Sequence, residues 1–237
     1  MQSYRARVAL ITGSGNSVTN SFNKWAPDGV DFAASRVEIE GAAPESLIHM
    51  SGQVASEALK FKNKHYDLVV YSCTSGSCIQ GEEYNRTLIR QIEEGSGSKG
   101  LTTSRAVQEA FEALGCHNTV VLTPYPEDTN ELERQFLESL GIHVLSIKGV
   151  GFHQDHKKYT YADPRFIYRN VKALDRSRAD SVFVSCMALD TFDLIDVMEK
   201  DFSLPVITSR QATFWAALRH CRINDSIEGL GQLLKLR

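Results

Sequence analysis

Two cysteines, Cys73 and Cys186, occupy matching contexts in the chain. Each closes a short apolar run and opens a turn of small residues: Leu-Val-Val-Tyr-Ser before Cys73-Thr-Ser-Gly-Ser, and Val-Phe-Val-Ser before Cys186-Met-Ala-Leu-Asp. Runs of this length, rich in β-branched and aromatic residues, suit a strand buried in a parallel sheet. In open α/β sheets, ligands bind just past the carboxyl ends of the strands, so both thiols fall where a ligand would sit. Two thiols facing one cleft can act as opposed acid and base. Alternatively, one attacks carbon while the other moves a proton. The competing reading is packing, because cysteine is among the residues most often fully buried. The matched pair and its hydroxyl-rich turns favour chemistry.

A free thiol titrates near about 8.5, so a reactive one needs help from its surroundings. Cys73 precedes an expected helix N-terminus, and Thr74, Ser75 and Ser77 follow it. Their N–H groups and hydroxyls would lower the thiol pKa or hold a substrate carboxylate. Asn16 and Ser17, past the first strand, offer further donors, and Tyr125 offers a phenol to a developing oxyanion. Each has a plainer reading: Asn16 as a helix cap, Tyr125 as an aromatic packed beside Pro124. Cys78, Cys116 and Cys221 read as structural.

The elements that must position these groups alternate along the chain. Strands are expected at 7–11, 30–38, 67–72, 119–123, 142–147, 181–185 and after Pro205. Helices are expected from Ser17 to Trp25, over 45–61, 81–94, 104–114, 127–140, from Asp163-Pro164 to Leu174, over 190–200 and over 211–220. Gly95–Gly100 reads as a flexible loop. This alternation implies parallel sheets with helices on both faces. The strands beginning at Arg7 and Thr119 start 112 residues apart, and the two cysteines lie 113 apart. The near-equal offsets predict an α/β fold of two pseudo-symmetric lobes facing each other, which the family resemblance given below makes Rossmann-like with the active site between them. The first lobe takes residues 1–98 joined by 212–237, the second 99–211.

Composition narrows the class. A chain of 237 residues that is 42% hydrophobic and 23% charged is an ordinary globular protein, and a formal charge of −3 offers no basic face for nucleic acid. No apolar run approaches the roughly 20 residues needed to span a bilayer. Met1–Arg7 leads straight into a strand without a signal-peptide core, and none of the five cysteines has the spacing of a zinc or redox pair. A cytoplasmic protein with reduced thiols is expected, with no metal or organic cofactor. Thr12-Gly-Ser-Gly-Asn-Ser lacks both the dinucleotide fingerprint and the Walker lysine. No nucleic-acid or membrane partner is expected; a small carboxylate substrate and a homo-oligomer are.

Taken in order, Thr12-Gly-Ser-Gly-Asn16-Ser17, Cys73-Thr-Ser-Gly-Ser77, Thr123-Pro-Tyr125 with Asn130-Glu131, Ser185-Cys186 and the segment from Leu204 to Arg219 resemble the Asp/Glu racemase superfamily. Within it they look like the maleate cis-trans isomerase and arylmalonate decarboxylase group. The resemblance spans nearly the whole chain. It implies two Rossmann-like lobes, no cofactor, and a carboxylate substrate whose enediolate is held by hydroxyl, amide and N–H donors. It also implies that Cys73 and Cys186 are catalytic, and that Asn16, Ser17, Thr74, Ser75, Tyr125, Asn130, Met187 and His156 bind substrate. Racemases and maleate isomerases of the group carry both thiols, whereas arylmalonate decarboxylases keep the second. This chain has both, so maleate to fumarate isomerisation is the leading expectation. The alternatives are an amino-acid or hydantoin-type racemase, an arylmalonate-type decarboxylase, and a non-enzymatic carboxylate-binding module. Two positions depart from the isomerase pattern: Asp155-His156 stands where an asparagine follows an aspartate, and Gly13 and Gly15 stand in a Pro-Ser-Ser turn.

Overall fold

The computed structural model of the chain describes residues 3–151 and 162–237. Among these, one four-stranded sheet contains β1 (Ala6–Thr12), β2 (Val30–Arg36), β3 (Leu68–Tyr71) and β4 (Lys99–Thr102), in the order β2-β1-β3-β4. A second contains β5 (Asn118–Thr123), β6 (His143–Gly149), β7 (Ser181–Val184) and β8 (Val206–Thr208), in the order β6-β5-β7-β8. Every pairing is parallel. Exchanging β1–β4 for β5–β8 maps one order onto the other, which is the duplication that the spacing predicts. The repeat extends to single bonds. Ser72 N–H donates to Ile11 C=O at 2.8 Å, and Ser185 N–H donates to Leu122 C=O at 2.9 Å. Each cysteine is therefore the first residue beyond a matched interstrand bond.

Turn chemistry repeats too. Thr12 Oγ1 accepts from Ser14 N–H, and Thr123 Oγ1 accepts from Tyr125 N–H, both at 3.1 Å. The last threonines of β4 and β8 cap the helices that follow. Thr102 caps α6 (Thr103–Leu114) and Thr208 caps α10 (Ser209–His220), the latter through a reciprocal capping box with Gln211. These two helices pack against each other. Residues 209–218 of α10 are buried on every side, as expected of a helix enclosed by protein.

Three expectations change. The helix expected over 45–61 splits into α2 (Pro44–Ser51) and α3 (Val54–Leu59). There the Ser51 hydroxyl donates back to Ile48 C=O at 3.0 Å and competes with the helix ladder. The segment read as a flexible loop is ordered: α5 (Gly81–Ser96) ends at Gly97, which is left-handed at φ 73°, and β4 follows directly. Its other glycines are there for close approach. A β-carbon on Gly95 would lie 2.9 Å from Ala58 Cβ, and one on Gly100 would lie 2.7 Å from Ile89 C=O. Over 190–200, a short 3-10 turn (Phe192–Leu194) precedes α9 (Ile195–Phe202).

The remaining α-helices among the described residues are α1 (Asn16–Trp25), α4 (Thr74–Cys78), α7 (Glu127–Ser139) and α8 (Pro164–Lys172), the last capped by Asp163 as expected. One hydrophobic cluster runs from Val8 and Leu10 of the first sheet, through Phe22, Phe32, Phe192 and Phe214, to Val120, Leu122 and Phe183 of the second. Each fully buried phenylalanine contributes about 1.5–3 kcal/mol. A smaller cluster on the other face of the first sheet includes Ile11, Met50, Val69 and Tyr71. No helix among the described residues is long and apolar enough to cross a membrane.

Candidate active site

Parallel strands deliver both cysteines to the same end of their sheets, and α10 ties the two turns together. Thr74 Oγ1 donates to Ser209 Oγ at 2.8 Å, and the same oxygen accepts from Cys186 N–H at 3.0 Å. A single hydroxyl at the first position of α10 thus bridges the turn of the first sheet to that of the second. The next residue, Arg210, is fully buried. Its Nε and Nη2 donate to Met187 C=O at 3.1 and 2.9 Å, and Nη2 also reaches Ser17 Oγ at 3.2 Å. Nη1 reaches Ser21 Oγ at 2.9 Å and Asp190 at 3.0 Å. The guanidinium fork therefore clamps the turn after Cys186 onto α1.

Cys186 itself has φ 114°, a left-handed conformation that side chains other than glycine rarely adopt. Strain of this kind persists where surrounding bonds over-determine the backbone, and it concentrates at functional sites. The bonds are visible here. Ser209 holds the Cys186 N–H, Arg210 holds the Met187 carbonyl, and Ser185 Oγ donates to the buried Glu133 carboxylate. Cys73 is half-buried and caps α4, with Sγ accepting from Gly76 N–H at 3.4 Å and lying 3.9 Å from Ser75 Oγ.

Of the residues singled out from sequence, Ser75 and Tyr125 converge on the thiols. The Tyr125 hydroxyl favours ionisation of Cys186, and the Ser75 hydroxyl favours ionisation of Tyr125. Thr74 and Asn130 are committed to structure. Thr74 bonds Ser209, while Asn130 accepts from Thr123 Oγ1 and donates to Tyr125 C=O at 3.4 Å, fixing the Thr-Pro-Tyr turn. Met187 is buried, with Sδ 3.4 Å from Thr213 Oγ1. Ser17 faces Arg210, and Asn16 is exposed at the first turn of α1. His156 lies outside the described residues.

Burial dominates the electrostatics. It pushes the Cys73 thiol up from its ordinary value, against the opposing pull of Gly76 N–H and the Ser75 and Tyr71 hydroxyls. The lowering expected from a helix N-terminus does not prevail, because burial outweighs the Gly76 N–H and the hydroxyls. Burial takes Cys186 up to about 11, with the Tyr125 hydroxyl opposing. The thiols are close enough that a charge on Cys73 disfavours one on Cys186. That coupling keeps one protonated while the other is ionised. Glu133 is raised to about 7 by burial, opposed by the Ser185 hydroxyl, and its Oε2 has no partner among the described residues.

Sequence reasoning missed Glu133, Ser209 and Arg210. Helical spacing could have found the first: Thr129, Glu133 and Leu137 share the buried face of α7. Nothing in Thr-Ser-Arg-Gln distinguishes a buried arginine from a solvated one.

The sequence model of the arylmalonate decarboxylase family matches residues 14–234. Arylmalonate decarboxylase of Bordetella bronchiseptica is 31% identical over 198 residues, covering 81% of this chain and 80% of the relative. Among solved structures, a cysteine variant of a Pseudomonas putida maleate isomerase with maleate superposes with a TM-score of 0.91 at 22% identity, covering 97% of each chain. A cysteine-to-serine variant of Nocardia farcinica maleate cis-trans isomerase, with a covalently bound succinylcysteine intermediate, gives 0.90 at 20% identity, covering 97% of this chain and 98% of that one.

Proposed function

The chain belongs to the arylmalonate decarboxylase family, and from that premise we propose that it is a cofactor-independent cis–trans isomerase of a small dicarboxylate, converting maleate to fumarate. One observation carries the reading: both strand-end turns hold a thiol, and Ser209 joins the two turns into one site. Decarboxylation of a malonate needs one acid, to protonate the enediolate left by carbon dioxide. Addition to a double bond needs a second sulfur as nucleophile. The succinylcysteine in the Nocardia farcinica enzyme supports an adduct of that kind.

In the proposed sequence, Cys73 loses its proton to solvent and its thiolate adds to one olefinic carbon. The π electrons move to the neighbouring carbon and its carboxylate as an enediolate. Cys186 delivers its S–H proton to that carbon, and the new single bond rotates. The Cys186 thiolate then removes the proton, the double bond re-forms trans, and the carbon–sulfur bond breaks to return Cys73. No electrons are gained or lost overall, so no redox partner is required. Ser75, Tyr125 and the N–H groups following Cys73 hold one carboxylate and stabilise the enediolate, each donor contributing up to roughly 3 kcal/mol. In this reading Asn16 and Ser17 receive the other carboxylate, Met187 forms apolar wall, and Thr74 and Asn130 act by holding the turns.

The second reading is decarboxylation of an arylmalonate, favoured by the 31% identity to the Bordetella bronchiseptica enzyme. Cys186 alone would serve it as proton donor. Proton NMR in deuterated water separates the readings. Loss of the maleate olefin signal with growth of that of fumarate is the expected result. Carbon dioxide release from an arylmalonate without maleate turnover would replace the isomerase by the decarboxylase. Cα exchange in aspartate, glutamate or a hydantoin would indicate a racemase. Silence on every substrate would favour a carboxylate-binding module.

A further inference from the structure

Tyr71 ends β3, two residues before Cys73, and is fully buried against the apolar cluster that includes Ile11, Met50 and Val69. Its ring is satisfied by that packing, but its hydroxyl has no well-aligned hydrogen-bond partner among the described residues. Buried polar groups are almost always paired, so an orphan hydroxyl at a site asks for an explanation. The geometry around Gly76 supplies one. A β-carbon there would overlap the Tyr71 hydroxyl and would lie 3.2 Å from Cys73 Sγ. Hydroxyl and sulfur therefore converge on the same bare Cα, and any side chain at position 76 would displace the phenol.

We propose that Tyr71 is a positioned donor to the Cys73 thiolate, so that the site holds two phenols, Tyr71 for Cys73 and Tyr125 for Cys186. The inference rests on Cys73 being the reacting sulfur. A neutral thiol is a weak acceptor, which is why the hydroxyl stands unpaired at rest. An anionic sulfur accepts strongly, so the bond is made in the charged state, where it speeds ionisation and eases departure of the sulfur from the adduct. The same hydroxyl favours ionisation of Cys73, while a charge on Cys73 opposes ionisation of the phenol. The other titratable groups around the pair are Cys78 on α4, Tyr84 on α5, Glu133 on α7, Tyr125 and Cys186. All remain when Tyr71 is changed.

The test is the pH profile of Cys73 alkylation by iodoacetamide, assigned by peptide mass spectrometry, in the wild type and in Tyr71→Phe. The expected result is labelling of Cys73 about tenfold slower below the thiol midpoint, with the profile moved upward by about one pH unit. Cys116, remote from the site, should label at an unchanged rate. Superimposable Cys73 profiles would overturn the proposal. Should Tyr71→Phe fail to fold, site-specific 3-fluorotyrosine at position 71 keeps shape and hydroxyl but donates more strongly. The Cys73 profile should then move downward, and an unmoved or raised profile would overturn the proposal. Neither readout needs turnover, so a shifted profile in a protein that leaves maleate untouched would sink the isomerase reading and leave Tyr71 as donor. An unshifted profile in an active isomerase would do the reverse.

Discussion

Cys73, Cys186, Tyr125 and Glu133 all hold their protons more tightly than they would in water, because burial penalises each charged form. For the proposed reaction, Cys73 must be ionised while Cys186 keeps its proton. The profile of kcat/KM should therefore rise with pH above the ordinary thiol value of about 8.5 and fall as Cys186 ionises near about 11. A plateau already reached at pH 7 would contradict the raised Cys73. Cys73→Ser and Cys186→Ser should each reduce turnover to background while circular dichroism stays native, since a hydroxyl matches the thiol in shape and not in acidity. Cys116→Ser and Cys221→Ser should stay active. Glu133 gives a stability signature of opposite sign to that of a salt-bridged carboxylate. Its value rises from 4.5 to about 7 on folding, so the unfolded chain releases this proton first. Stability is then lost as pH climbs through that window, by about 3 kcal/mol in all, and the loss is complete above about 7. Glu133→Gln should remove that part of the slope, read as a smaller difference between urea unfolding at pH 4.5 and at pH 8.

Helix α10 organises the site more than any other element, and its cap and first two positions have separable tasks. Thr208 caps it, Ser209 joins the cysteine turns, and Arg210 holds the carbonyls after Cys186. Thr208→Ala should cost about 1 kcal/mol of stability as a lost cap and leave kcat near that of wild type. Ser209→Ala leaves the Cys186 N–H and the Thr74 hydroxyl without their shared partner, at about 1–3 kcal/mol, and should lower kcat clearly more than Thr208→Ala does. Equal effects on kcat would reduce Ser209 to a helix-start residue. Strand and helix placement was legible here because apolar runs, threonine caps and terminal glycines such as Gly115 are local signals. The candidate site was legible as far as it follows strand ends: Cys73 and Cys186 each follow a matched strand, and Ser75 lies beside Cys73. What lay beyond the sequence depends on partners distant along the chain. Arg210 meets Ser17 and Ser21 from the other end of the sequence, and Gly95 and Gly100 are dictated by what crosses them rather than by their neighbours. Asn130 carries an amide suited to substrate, but the fold uses it to hold the Tyr125 carbonyl.

At the scale of the whole molecule, the duplication supplies two strand-end turns, and the site exists because they face each other. The two sheets share one hydrophobic cluster, and the Arg210 clamp and the Thr129 hydroxyl bond to Ala42 C=O cross from the second set of elements to the first. A chain built this way should unfold in one calorimetric transition, with equal calorimetric and van't Hoff enthalpies. Two resolved transitions would mean that each sheet carries its own core. The buried guanidinium has a further consequence for how the folded protein comes into being. Once the guanidinium is shut off from water, its donors find their full set of acceptors only with α1, the Cys186 turn and α10 all in place, so a core closed without any one of them leaves Arg210 short of partners. Assembly of the candidate site and completion of the core become the same kinetic event. On refolding from urea, catalytic activity and the fluorescence of Trp25 and Trp215 should return with one shared rate constant.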